Sequence, residues 1–236
     1  AISADYAQTE EGLLDFFGST FYGYNYPTAG IKLILGGILR YLNREDMIEY
    51  DGNRLAPTDF GRRVSELYID PLTAVVLRDG LKRGALDITD FTWLHLICNT
   101  PDMRPILRPR RSDYELVENY LEEHIDEIAT PLRKNYDYID FEESLGEVKT
   151  AMILEAWINE VSENDLLERY KVLPGDRYSA VTSAEWLLYS AHELAETLGM
   201  PEPRRHVIEL RNRVKHGVSR KLLPLVRLRS EEHTSE

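Results

Sequence analysis

The stretch Asp176 to Gly199, DRYSAVTSAEWLLYSAHELAETLG, is the best-specified helix in the chain, and the rest of the fold is read outward from it. Pro174-Gly175 breaks the preceding segment, Asp176 is of the N-cap type, Gly199 suits a left-handed stop and Pro201 forbids continuation. These limits predict a helix of about 22 residues, about 33 Å long. At 100° per residue, Val181, Ala184, Leu187, Leu188, Ala191, Leu194, Ala195 and Leu198 share an arc of about 120°, the width of a core-facing stripe. Trp186 projects roughly 140° from the centre of that arc, on the side of Ser179, Ser183, Ser190, Glu193 and Thr197. Two readings are open. Another helix covers this face, or the indole is a platform on which a nucleic-acid base stacks, worth ~1–3 kcal/mol per base.

Upstream, Phe141 to about Val161 carries Leu145, Val148, Met152, Ile153, Leu154, Trp157 and Ile158 on most of its sides, which marks a central core helix with Trp157 as a packing residue. Ser162 and Asp165 start a short helix, Leu166 to Tyr170. Thr89 opens Asp90 to Cys98, and Leu72 to Arg83 stops at Gly84. Ser112 with Glu115 forms a capping box for a helix running to about Ala129 before Pro131. Pro101 to Arg111 is a Pro- and Arg-rich connection with Arg104, Arg108, Arg110 and Arg111, and Asn135 to Asp140 is a Tyr-rich loop.

The N-terminal part follows another order. Ala1 to Gln8 has no start signal. Thr9 caps a helix with Leu13, Leu14, Phe16, Phe17 and Phe21, closed by the aromatic run Phe21 to Pro27. A second helix, about Ala29 to Leu42, carries Ile31, Ile34, Leu35, Ile38, Leu39 and Leu42. Met47 to Tyr50 and Arg54 to Ala56 flank Asp51-Gly52-Asn53, a strong hairpin signal, and Thr58 caps a helix with Phe60, Val64, Leu67 and Tyr68. Helix, helix, small hairpin, helix is the order of a winged helix. In DNA-reading members the helix before the wing carries polar side chains to base edges. Here it holds mostly Ile, Leu and Gly, with Lys32 and Arg40 its only cations, so it is expected to be buried against another domain.

The fold class is therefore mainly α: a winged helix with a small β-hairpin, residues 1–70, followed by an all-helical bundle of about seven helices, residues 71–203. With 236 residues, 43% of them hydrophobic and 29% charged, the chain can bury a proper core. The single cysteine, Cys98, rules out an intramolecular disulfide, and no apolar run is long enough to span a bilayer, so a cytoplasmic origin is the default. A net charge of −13 argues against nucleic acid until its distribution is considered. From Arg204 to Arg229 nine Lys/Arg face one acid, Glu209, a local charge of +8. That segment is either a polyanion contact or a solvated charged helix.

Catalytic motifs are missing from the chain. There is no Gly-x-x-x-x-Gly-Lys-Ser/Thr phosphate loop, no His-Glu-x-x-His and no Gly-x-Ser-x-Gly elbow, and scattered histidines with one cysteine make a zinc site improbable. No catalytic or metal residues are assigned.

The order of short motifs carries a resemblance. Leu67-Tyr68-Ile69-Asp70-Pro71-Leu72-Thr73-Ala74, His95 to Met103, Glu147-Val148-Lys149-Thr150-Ala151, Pro174-Gly175-Asp176, Ala184-Glu185-Trp186-Leu187 and Arg213-Val214-Lys215-His216-Gly217-Val218 together resemble the archaeal Ski-two-like DNA helicases called the helicase three-zero-eight family. That family combines two RecA-like motor domains, a winged helix, a seven-helix ratchet domain and a C-terminal helix-hairpin-helix domain. The resemblance covers the third and fourth and, at 204–228, the start of the fifth. It implies that Asp176 to Leu198 is the ratchet helix along a translocating single strand and that Trp186 stacks on a base. Ser179 stands where the family pattern has a DNA-contacting Arg two turns before that Trp, with Arg177 nearby; Ser183 and Ser190 complete the nucleic-acid-binding set. It further implies three-prime to five-prime unwinding of forked or single-stranded DNA in replication-linked repair, ATP and Mg in motor domains outside this chain, those domains as partners in the same polypeptide, no membrane and a monomer. Residues 229–236 look like a translated sequencing adapter on a metagenomic fragment. The alternative from another class is a stand-alone winged-helix regulator or protein-interaction module, binding duplex DNA as a dimer.

Overall fold

Four hydroxyl side chains set the helix starts that the sequence marked. Thr9 accepts from the Gly12 amide, Thr58 from Gly61, Thr89 from Thr92 and Ser162 from Asp165, each satisfying a donor that the first helical turn leaves open. The computed structural model describes residues 1–83, 88–128 and 138–226. The chain divides into two units, Ala1–Pro71 and Leu72–Glu236. The expected stop at Gly84, most of the Tyr-rich loop and the adapter-like tail lie outside the described residues, whereas the helix expected to run from Ser112 to about Ala129 ends at Glu123, where the His124 amide closes on the Tyr120 carbonyl and a 3-10 turn, Ile125–Glu127, follows.

The first unit runs α1 (Glu10–Gly18), α2 (Phe21–Asn25), α3 (Thr28–Arg44), β1 (Ile48–Asp51), β2 (Arg54–Pro57) and α4 (Asp59–Leu67), the winged-helix order. β1 and β2 pair antiparallel with Asp51 opposite Arg54, so Gly52-Asn53 is the two-residue loop, and Asp51 belongs to the strand. Leu13, Leu35, Leu39, Ile48 and Leu55 form the core with Ala7. The residues before α1, which carry no start signal, are held in the fold: Ala7 is buried, and the Gln8 carbonyl accepts from the Leu55 amide at 2.7 Å. Phe21 is not part of α1. Thr20 caps a separate short helix there, and Phe21 and Tyr24 stand 83% and 87% exposed. Tyr68 leaves α4 in a left-handed conformation and is exposed as well. On α3, Ile31, Leu35 and Leu39 are buried, whereas Leu33, Ile34 and Ile38 are not.

The second unit contains α5 (Pro71–Arg83), α6 (Asp90–Cys98), α7 (Tyr114–Glu123), α8 (Tyr138–Ile158), α9 (Glu163–Tyr170), α10 (Pro174–Thr197) and α11 (Pro201–His216). These are seven α-helices among the described residues, matching the expected bundle of about seven, although the seventh runs past the expected bound at residue 203. α8 touches α6, α7, α9, α10 and α11, and its Leu145, Val148, Met152 and Ile153 form the core with Val117, Leu121, Leu166 and Val172. Its apolar residues on most sides follow from that central position. Ser112 does not cap α7. Asp113 occupies the N-cap position without capping, because its carboxylate pairs with Lys149 and accepts from the Arg110 amide. The boundary drawn at 203/204 falls inside α11, which packs along α10 through a helix carrying buried Val207, Leu210 and Val214.

The basic segment is mostly neutralised within the fold. Arg204 pairs with Glu196 at 2.9 Å, Arg211 with Glu185 at 3.1 Å, Lys215 with Glu185 at 3.5 Å, and Arg220 with Glu209. Arg213 is buried, pairs with Asp90 on α6, and donates to the carbonyls of Val218 at 3.3 Å and Ile158 at 3.5 Å. Burial alone would raise the Asp90 carboxyl, but His206 and Arg213 hold it at about 2. Replacing Asp90 by Asn should leave a buried guanidinium uncompensated and cost ~3–5 kcal/mol in urea unfolding, with Arg213→Met in the same chain recovering part of the loss.

His95 on α6 is buried, and neither ring nitrogen has a hydrogen-bond partner among the described residues. Burial lowers its pKa from 6.5 to about 4, so the folded state holds it neutral while the unfolded chain takes up a proton on acidification. Its contribution is intact above pH 6.5 and is lost as pH falls toward 4. Between pH 7 and pH 5 the parent chain should lose about 2 kcal/mol more unfolding free energy than His95→Leu, in paired denaturation curves.

Candidate nucleic-acid interface

α10 begins three residues earlier than its sequence signals suggested. Leu173 is the N-cap and Pro174 the first helical residue, where its missing N–H costs nothing, so Asp176 lies in the first turn rather than capping it. Its acidic charge is favourable near that end. At the other end Gly199 takes φ +66°, and the Met200 amide closes on Ala195 O at 2.8 Å. The buried face is Ala180, Val181, Ala184, Leu187, Leu188, Ala191, Leu194 and Ala195, the predicted stripe extended by Ala180, with Leu198 only half-buried.

Trp186 is half-buried, and its ring makes no hydrogen bond, aromatic stack or cation–π contact among the described residues. The other two tryptophans differ. Trp93 is 1% exposed, and Trp157 donates its Nε1–H to the Val214 carbonyl at 2.8 Å. Ser179 is exposed, Ser183 half-buried and Ser190 fully buried, so Ser190 presents no side-chain surface beside the indole. Helix periodicity placed it on that side, but α11 packs along α10 and the buried face is wider than the apolar stripe.

The hydroxyls near Trp186 are mostly committed. Ser179 donates to Gly175 O at 3.1 Å, Thr182 to Tyr178 O at 2.9 Å and Ser190 to Trp186 O at 3.0 Å. Each hydroxyl has a single proton to donate, so Ser179 and Thr182 keep only acceptor lone pairs for a ligand, and the buried Ser190 offers none. Ser183 has no such bond among the described residues and retains its donor. Arg177 is occupied differently: its guanidinium lies 4.2 Å from the centroid of the Trp157 ring and pairs with Glu163. It bridges α10 to α8 and α9 instead of reaching outward.

The Trp157 ring is fixed from a further direction by Gly217, which caps α11 at φ +62°. A Cβ there would approach Trp157 Cζ2 to 2.3 Å. The indole cannot yield readily, since the Val214 carbonyl and Arg177 both hold it. Gly217→Ala should therefore destabilise the chain by about 2 kcal/mol or more, through left-handed strain and overlap, and shift tryptophan emission as Trp157 loosens.

Sequence spacing missed one constellation. His192, Glu193 and Glu196 bring three potential ligand atoms within 4.8 Å of one another, which the four-residue spacing of His192 and Glu196 on a helix could have flagged. Glu196 is held by Arg204, and burial together with the nearby Arg204 and Arg211 charges lowers the His192 pKa. Those guanidinium groups oppose a bound cation. No helix among the described residues is long and apolar enough to cross a membrane.

The sequence that builds these two units places the chain among archaeal helicases. Residues 91–217 match the family described as archaeal helicase, domain 4, and the chain belongs to that family. It is 35% identical over 233 residues to the ATP-dependent DNA helicase Hel308 of Methanocella arvoryzae, an alignment covering 97% of this chain and 31% of that protein. The Hel308 of Thermococcus kodakarensis is 37% identical over 224 residues, covering 92% of this chain and 19% of the relative, and that of Pyrococcus horikoshii is 34% identical over 219 residues, covering 92% and 30%. The chain thus spans less than a third of the length of these relatives.

Proposed function

We propose that this chain is the DNA-guiding C-terminal part of an ATP-dependent DNA helicase and that α10 carries a single strand past Trp186. The observation that bears most weight is the state of that indole: half-buried, with no hydrogen bond, ring stack or cation–π contact among the described residues, on a helix whose other face is fully packed. A base stacking on its exposed part gains contact area without displacing a hydrogen bond, ring stack or cation–π contact among the described residues. The similarity to three proteins named ATP-dependent DNA helicase supports the same reading. ATP and Mg2+ belong, in this reading, to RecA-like motor domains outside residues 1–236, since the chain has no phosphate loop. The whole protein works as a monomer, moves three-prime to five-prime on forked or single-stranded DNA and serves replication-linked repair. Ser183, with its free donor, is the hydroxyl best placed to assist; Ser179 offers acceptors, and Arg177 acts by holding the start of α10 against α8.

A stand-alone regulator that reads duplex sequence gains no support from α3, where the residues left exposed include Leu33, Ile34 and Ile38. Trp186→Ala should weaken single-strand binding about 5- to 100-fold, measured by fluorescence anisotropy with a labelled oligonucleotide, while the melting temperature moves by no more than a few degrees. A stability loss of 3 kcal/mol or more, the cost of truncating a core tryptophan, would sink the platform reading.

A further inference from the structure

Residues 104–110 cross α8 without regular secondary structure, yet their backbone is fixed from beneath. The Leu107 amide donates to Thr150 Oγ1 at 2.8 Å, the Arg108 carbonyl accepts from Lys149 Nζ at 3.4 Å, and the Arg110 amide donates to Asp113 Oδ1. Lys149 and Asp113 are themselves an ion pair with 3% and 2% of their side chains exposed. Gly146 lets this strap lie close, because a Cβ there would come within 2.9 Å of Ile106 Cδ1. A buried pair of this kind is costly to desolvate, and here its spare hydrogen-bonding capacity goes to the strap.

The strap holds three guanidinium groups in water. Arg108, Arg110 and Arg111 are exposed, and among the described residues none of them pairs with an acid, in contrast to the cations of α11. Pro109 fixes the backbone between the first two, and residues two apart in extended chain project to one side. Thr150, which holds Leu107, and Trp157, which carries Arg177, are seven residues apart on α8. They lie on one side of that helix about 10 Å apart along its axis, so the strap and the start of α10 flank the same side.

We propose that Arg108, Arg110 and Arg111 form a second nucleic-acid contact, a strap that takes the phosphate backbone while Trp186 takes a base. The inference rests on reading the chain as a DNA-guiding module. The fork of an Arg side chain suits two phosphate oxygens at once, and three such forks on a fixed backbone bind without the ordering cost of a flexible tail. The contact is blind to sequence.

The test is the salt dependence of binding by the whole 236-residue chain, with a labelled single-stranded oligonucleotide in one arm and a duplex in the other. All three arginines are replaced by Gln, which leaves the strap intact because its bonds to Thr150, Lys149 and Asp113 use backbone atoms. Each phosphate contact contributes about 0.7 to the slope of log K against log salt on a single strand and about 0.9 on a duplex. The slope should therefore fall by about 2 if the strap holds a single strand, or by nearly 3 if it holds a duplex, in the arm concerned, whereas Trp186→Ala lowers affinity at constant slope. Removing equal charge at Lys171, Arg205 and Lys221 should leave the slope unchanged; an equal fall with this control set would overturn the strap. An unchanged slope in both arms, with Trp186→Ala still weakening binding, refutes the strap and leaves the function standing. No binding by the folded parent chain refutes both.

Discussion

Arg213 and Asp90 form the interaction on which the helical unit depends. A buried guanidinium is an expensive element, and this one is placed where three helix ends lower its cost. Asp90 lies in the first turn of α6, where a negative charge is favoured; Arg213 lies in the last turn of α11 and touches the final carbonyl of α8, where a positive charge is favoured. His206 and Arg220 add to the field around the same carboxylate, at 3.2 and 3.9 Å. The pair fixes the relative placement of α6, α8 and α11, and α11 in turn covers one side of α10. The geometry around Trp186 is therefore set by charges far from it in sequence.

Local chemistry made much of this fold legible. Thr9, Thr58, Thr89 and Ser162 were readable as caps because a cap needs only a hydroxyl and the next three residues. The hairpin and the central helix were readable for the same reason, their signals lying within one segment. The failures have a common cause. Asp113 displaced Ser112 at the start of α7 because its carboxylate answers Lys149, 36 residues away. The basic segment looked free because its partners, Glu185, Glu196 and Asp90, belong to α10 and α6. Pairing across such distances leaves no periodic trace in a sequence.

The candidate site divides along the same line. Trp186 was visible as an aromatic out of place on its own helix, and periodicity alone was enough. Ser190 was placed beside it by the same rule and is buried, since a neighbouring helix can take up positions outside the apolar stripe. The occupation of Arg177 by Trp157 and Glu163 is a three-helix arrangement that no spacing could reveal.

The back-bonded hydroxyls of α10 bear on how a strand would move. A strand held as proposed meets, along the outward side of this helix, a ring, the Ser183 hydroxyl, and the oxygen atoms of Ser179, Thr182 and Thr197, whose protons already serve the helix backbone. Directional bonds, which must break before a strand advances, are scarce there, and stacking costs nearly the same for every base. In that proposal the energy profile along the track is shallow and regular, which favours low friction.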